Sequence, residues 1–174
     1  MIAGEARQYL LDANVFIEAQ RRYYSFDLCP GFWECLVEYH QAGRILSIDR
    51  VKRELQQGHD DLAEWARQDR LAPFFASTDD AAVTEEFGQI VNWVHAQEQF
   101  LADAKAGFAS SADGWLVAYA RVHGFVLVTH EAYALDARRK VPIPNVCRAF
   151  NIPFVDTFAM LKDLNVRFGW LPSS

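Results

Sequence analysis

Apolar residues along this chain fall into short runs of three or four, separated by longer stretches in which they recur every three or four positions. Short apolar runs bounded by turn residues predict buried strands, and the longer spacing predicts amphipathic helices. Strands are predicted at residues 9–11, 45–48, 125–128 and 153–156. Helices are predicted over 14–22, 32–41, 50–57, 60–68, 113–123, 144–151 and 157–164, with Gly43, Gly58 and Gly124 as stops. Residues 79–106 read as one long helical region or two helices, with Gly88 inside. Strands alternating with helices predict an α/β fold, a three-layer α/β/α arrangement around a small central parallel sheet of four or five strands. No repeat, low-complexity tract or Gly/Pro/Ser-rich linker divides the chain, so residues 1–174 are read as one domain. In such sheets, ligands bind beyond the carboxyl ends of the strands, where the strand order reverses.

Composition narrows the class. Apolar residues make up 51% of the 174, enough for a real core, and this excludes a disordered or fibrous chain. Seventeen basic against 23 acidic residues give a net charge of −6, which excludes a generally basic nucleic-acid coat but not a local basic patch. Cys29, Cys35 and Cys147 form no CxxC and cannot all pair with one another, which fits a reducing compartment. No apolar run approaches the roughly 20 residues of a membrane span, and the first residues carry no signal-peptide core. A cytoplasmic protein with no membrane partner is the expectation.

Acidic residues stand where strands are expected to end. Asp12 follows the first strand directly, and a charge beside that much apolar sequence is costly to bury unless it is paired or binds a cation. Asn14 opens the next helix; the pair can equally be a helix N-cap and its turn. Glu54 lies one turn into the helix after the second strand, beside the buried stripe marked by Val51 and Leu55, or it is simply a solvated helical acid. Asp113 starts a helix, as a functional carboxylate or a first-turn acid favoured by the helix dipole. Thr129-His130-Glu131 ends the clearest strand, with Thr129 and Glu131 on one side of an extended segment. Gathered at one sheet edge, four carboxylates would repel and raise one another's pKa, and a hard divalent cation such as Mg²⁺ or Mn²⁺ would relieve that repulsion. The five histidines show no HxxxH or HxH spacing, so zinc is not supported.

This order of residues resembles the PIN domain over about residues 8–165, and within it the VapC-like toxins of type II toxin–antitoxin systems, in a branch with a longer middle helical region. The resemblance implies a small α/β/α ribonuclease fold with Mg²⁺ or Mn²⁺ held by Asp12, Glu54 and Asp113. It implies a supporting role for Asn14, orienting Asp12 or a bound water. The family's fourth acid is an Asp in a Thr-Asn-Asp trio, and here it is Glu131, whose longer side chain can reach a metal directly or through water. Thr129 is expected to hydrogen-bond within the site, and His130 is assigned to loop structure. The resemblance further implies an RNA substrate (tRNA, rRNA or mRNA), a cognate antitoxin protein and a homodimer.

Three cationic clusters lie close in sequence to these acids: Arg50, Lys52 and Arg53; Arg138-Arg139-Lys140; and Arg21-Arg22. Each is either solvated surface or a phosphate contact. The aromatic residues of the early and middle regions are assigned mostly to core packing, with an exposed subset available for a dimer face or a partner helix. The same residues admit competing functions. Asp12-Ala13-Asn14 also resembles the Asp-x-Asp of haloacid-dehalogenase phosphatases, but Asn14 cannot donate and retake a proton. A catalytically silent RNA- or protein-binding domain would have no need to keep four acids. A structure-specific DNA nuclease would need helical extensions this chain has no room for.

Overall fold

The computed structural model describes residues 6–173. Among these lies a five-stranded, all-parallel sheet in the order β3-β2-β1-β4-β5. The strands are β1 (Tyr9–Leu11), β2 (Ile45–Ile48), β3 (Phe75–Ala76), β4 (Val126–Val128) and β5 (Phe154–Val155). β1 is central, pairing Leu10 with Leu46 on one side and Leu127 on the other. Tyr9, Leu10 and Leu11 are all at most 1% exposed. Successive side chains of a strand point to opposite faces, so complete burial of three in a row requires cover on both sides. Helices supply that cover, giving the three-layer α/β arrangement expected from the sequence.

The helices are α1 (Ala13–Glu18), α2 (Pro30–Gln41), α3 (Asp49–Gln56), α4 (Asp61–Arg67), α5 (Ala81–Ala96), α6 (Ala102–Ser110), α7 (Asp113–His123), α8 (Ile143–Ala149) and α9 (Thr157–Asp163). Residues 13–23 differ from the single helix expected there: α1 passes into a π-helical turn, Ala19–Tyr23, closed by the Tyr24 N–H on the Ala19 carbonyl at 2.7 Å. The long helical region breaks between Ala96 and Ala102 and not at Gly88, where an added Cβ would meet nothing within 4 Å. An open surface position of that kind tolerates glycine inside a helix. The edge strand β3 was not anticipated, because two residues after a 3₁₀ turn carry no periodicity of their own.

Most of the aromatic residues pack inside, as expected. Phe16, Trp33, Trp65, Phe74 and Phe75 form one buried group. On the other side, α5 meets the start of α7 through Phe87, whose ring stacks on Trp115 at 3.9 Å between centroids. Gly114 makes that approach possible: a Cβ there would come within 2.8 Å of Phe87. The residue beside this tight contact is Asp113. No helix among the described residues is long and apolar enough to cross a membrane.

Candidate active site

The strand order reverses between β1 and β4, and the carboxyl ends of these two neighbours carry Asp12 and Thr129-His130-Glu131. Asp12 leaves the sheet immediately after Leu11, its N–H donating to the Val128 carbonyl at 3.0 Å. It occupies the N-cap position of α1, yet its side chain caps nothing there. The carboxylate is instead turned toward β4: Thr129 Oγ1 donates to Asp12 Oδ2 at 2.9 Å. Asp12 is 4% exposed and Thr129 2% exposed. The same Thr129 hydroxyl accepts from the Glu131 N–H at 3.1 Å, which fixes the turn that follows β4.

Asp113 is the first residue of α7, with its N–H donating to Ser111 Oγ at 3.3 Å. Glu131 is largely covered, one oxygen accepting from the Ile143 N–H at 2.8 Å and the other paired with the Lys140 ammonium. Glu54 lies in the last turns of α3, an exposed residue whose carboxyl is nonetheless partly desolvated by a cleft it shares with Arg50, Arg53, Ser110 and Ser111.

The electrostatics tie these acids into one group. Burial, then the charge of Asp113, then that of Glu131 push the Asp12 carboxyl up to about 8, against the downward pull of the Thr129 hydrogen bond. Burial and the charges of Glu131 and Glu54 push Asp113 up to about 6, with Lys140 and Ser111 opposing. Desolvation raises Glu54 above the ordinary carboxylate range, and Lys140 again opposes. Lys140 loses some basicity to burial, but its hydrogen bond to Glu131 and the charges of Glu131, Asp113 and Asp12 outweigh that and raise it. Burial, then the charges of Glu131 and Asp12, push the Cys147 thiol up to about 12, which leaves it an inert packing residue.

The expected residues therefore converge in part by contact and in part by field. Asp12, Thr129 and Glu131 are linked by hydrogen bonds, whereas Asp113 and Glu54 are joined to them through electrostatics. Asn14 is the second residue of α1 and not its cap; its Oδ1 accepts from the His130 N–H at 3.3 Å, tying α1 to the loop after β4. His130 keeps the structural role expected of it, with Nε2 in a 2.8 Å hydrogen bond with Thr157 Oγ1. Lys140 was read only as one cation of a surface cluster. That it is the counter-charge for all four acids has no local sequence signal, since the loop from Glu131 to Ile143 decides it.

The donor set is all oxygen: four carboxylates and a hydroxyl, which suits a hard divalent cation and not zinc. Among the described residues, no three His, Cys, Asp or Glu side chains stand close enough to grip a metal as they are. Glu131 is engaged elsewhere, by the salt bridge to Lys140 and the hydrogen bond from Ile143. Clefts open around the acids on three sides. One of about 400 Å³ runs past Glu54 between Arg50 and Arg53. One of about 260 Å³ reaches Asp113 and Lys140. The third, about 380 Å³, is lined by Asn14, Glu18, Arg22, Tyr23, His130 and Glu131.

Comparison with curated proteins finds no match for this chain. A family profile does match, over residues 9–168, a span that takes in every strand of the sheet and all four acids. The chain thus belongs to the family described as a domain of unknown function, DUF4411.

Proposed function

We propose that this protein is a metal-dependent endoribonuclease of the PIN type, acting as the toxin of a toxin–antitoxin pair. The observation that carries the proposal is the electrostatic convergence of Asp12, Asp113, Glu131 and Glu54 at the β1/β4 switch point. Carboxyls pushed up to about 8 and about 6, first by burial and then by the charges of neighbouring acids, are a site that gains from receiving positive charge. Asp12, Asp113 and Glu54 would hold Mg²⁺ or Mn²⁺, with Glu131 joining them on leaving Lys140. The cation, when bound, supplies an acidified water and neutralises charge on the phosphoryl oxygens.

The chain's own side chains supply the rest. A carboxyl poised near neutrality can accept the proton lost by the attacking water, whose oxygen bonds to phosphorus as the bond to the leaving ribose oxygen breaks. Thr129 holds the Asp12 carboxylate in one orientation. Arg50 and Arg53 line the cleft beside Glu54, where they can take the phosphates flanking the scissile one. Arg50 is pre-positioned for this: its guanidinium lies 3.7 Å from the Trp115 ring centre and its Nε donates to Thr78 Oγ1 at 2.9 Å.

A second reading, a catalytically silent RNA- or protein-binding domain, draws on the Lys140–Glu131 pair, which already neutralises part of the site. Incubation of the purified protein with single-stranded RNA in Mg²⁺ or Mn²⁺, then in excess chelator, separates the two. Fragments that require the metal and vanish in Asp12→Asn and Asp113→Asn support the nuclease. Binding with no fragments supports the silent domain. Growth arrest on expression, abolished by Asp12→Asn and relieved by an antitoxin encoded alongside, tests the toxin role.

A further inference from the structure

The third cleft does not fit a phosphate clamp. Of its six lining residues, only Arg22 is a cation, and Arg22 is paired with Glu18 at 3.3 Å. Its distinctive feature is a ring, Tyr23, 43% exposed at the mouth. The π-helical turn puts it there. A π turn inserts one extra residue into a helix, and such turns concentrate at functional sites. Here Tyr24 turns inward to stack on Phe32 at 4.7 Å, while Tyr23 is left lying over His130, with ring centres 6.2 Å apart and planes 26° apart.

The support beneath Tyr23 is fixed. The His130 ring is hydrogen-bonded to Thr157, which is buried, and its backbone is held by Asn14. Phe158 meets the Tyr23 ring edge-on at 5.2 Å. An exposed aromatic ring, braced from below and at the edge, costs little to order on binding. Its cleft shares Glu131 and Asn14 with the acid site, so the ring and the acids border the same opening.

We infer that Tyr23, backed by His130, is a stacking platform for an unpaired RNA base next to the scissile phosphate, which makes the substrate single-stranded at that position. The inference rests on the ribonuclease reading. Bases of every identity have a π face, so the platform selects for an unstacked nucleotide and not for a sequence. A paired base is already stacked and cannot lie on Tyr23 without leaving its helix.

The test uses the full chain carrying Asp12→Asn, so that RNA is bound and not cut, and a single-stranded RNA octamer containing 2-aminopurine, in Mg²⁺. Stacking quenches the fluorophore on binding. Adding Tyr23→Leu, which keeps bulk against His130 but removes the aromatic face, is expected to abolish the quench. It should also weaken binding about 5- to 150-fold, the range for losing one base–aromatic stack. Tyr23→Trp restores both, and the same octamer in a duplex shows no quench. Melting curves establish that each variant is folded. Equal quench and affinity with Tyr23→Leu would overturn the platform, as would equal quench from the duplex. Metal-dependent cleavage by the wild type in the presence of either result would leave the ribonuclease proposal standing. Tyr23-dependent quenching by a chain whose wild type never cuts RNA would sink the nuclease, and with it the place of the platform beside a scissile phosphate, leaving a base-binding site alone. Displacement of the octamer by a peptide, with no Tyr23-dependent quench, would assign the cleft to a protein partner instead.

Discussion

Thr129 and Asp12 stand 117 residues apart in the chain and 2.9 Å apart in the fold, the threonine hydroxyl donating to the buried carboxylate. This bond spans the junction of β1 and β4, the one place in the sheet where the chain leaves its neighbours in opposite directions. It is the best-defined link among the acidic residues, and its consequences can be measured.

Replacing Thr129 with Val keeps the side chain's shape and removes its oxygen. The Asp12 carboxylate loses its donor and the Glu131 N–H loses its acceptor. A buried group left unsatisfied costs about 1–3 kcal/mol, and chemical denaturation of Thr129→Val should show a loss in that range. The carboxyl of Asp12 should rise further, because the Thr129 bond is one of the influences holding it down. Carboxyl-carbon NMR across pH reads this directly; an unmoved Asp12 would show that the bond is not formed in solution.

Asp12→Asn tests whether the carboxylate is functional or structural. Its carboxyl titrates at about 8 in the fold against an ordinary value of 3.8. The folded chain therefore keeps a proton that the unfolded chain releases, and metal-free stability falls as pH rises from about 4 to about 8. Asparagine has no such proton to lose and still accepts from Thr129. At pH 8 in chelator the variant should melt above wild type by at least about 2–4 °C, the shift that ~1 kcal/mol produces in a chain of this size. Near pH 4 the difference should close. Excess Mg²⁺ should raise wild type more than the variant, through linkage of binding to folding. A variant that melts below wild type at pH 8 in chelator would make Asp12 a structural cap.

Lys140→Met removes the one cation that opposes the upward shifts of both Asp113 and Glu54. The lysine side chain is 64% exposed, so its pair with Glu131 should contribute less than about 1 kcal/mol to stability. The effect belongs instead to the pH profile: both carboxyls should titrate higher, moving the acidic limb of cleavage to higher pH. At pH 8, where Asp113 is ionised and protons compete less than at lower pH, Mn²⁺ should bind more tightly, since a positive charge has left its site. Calorimetry measures the second effect, and an unchanged affinity there would remove Lys140 from the site.

Gly114→Ala asks whether the packing next to Asp113 matters. The new Cβ would lie 2.8 Å from Phe87 and 3.1 Å from Phe108. Both are ring atoms in a packed contact, so α5 or α7 must shift, at a cost of about 1–3 kcal/mol. Because Asp113 is the preceding residue, metal affinity should fall along with the melting temperature. Lost stability with unchanged Mn²⁺ binding would show that Asp113 is held independently of that contact.

Much of the fold is legible in the sequence, for a physical reason. Burial on both faces gives a central strand a short, nearly continuous apolar run, and residues 9–11, 45–48 and 125–128 carry it plainly. The same pattern placed Asp12 and Glu131 at strand ends and Asp113 at the start of a helix, because a charge after an apolar run marks where a strand stops. Two-residue β3 lacks the length to carry a period, and the break at residues 97–101 falls where the chain turns away without glycine or proline to announce it.

Tertiary structure alone decided what those positions do together. Whether four acids share a field depends on the order of parallel strands, and periodicity is blind to order. Asn14 looked like a cap and became a tie to His130; Lys140 looked like solvated charge and became the counter-ion of the site. Tyr23 and Tyr24, adjacent in sequence, part company at a π turn, one into the core and one onto the surface. Local sequence determines which residues must leave water. Long-range packing determines which of the remaining ones meet, because charges and rings far apart in the chain interact only after the sheet has brought their loops to the same edge.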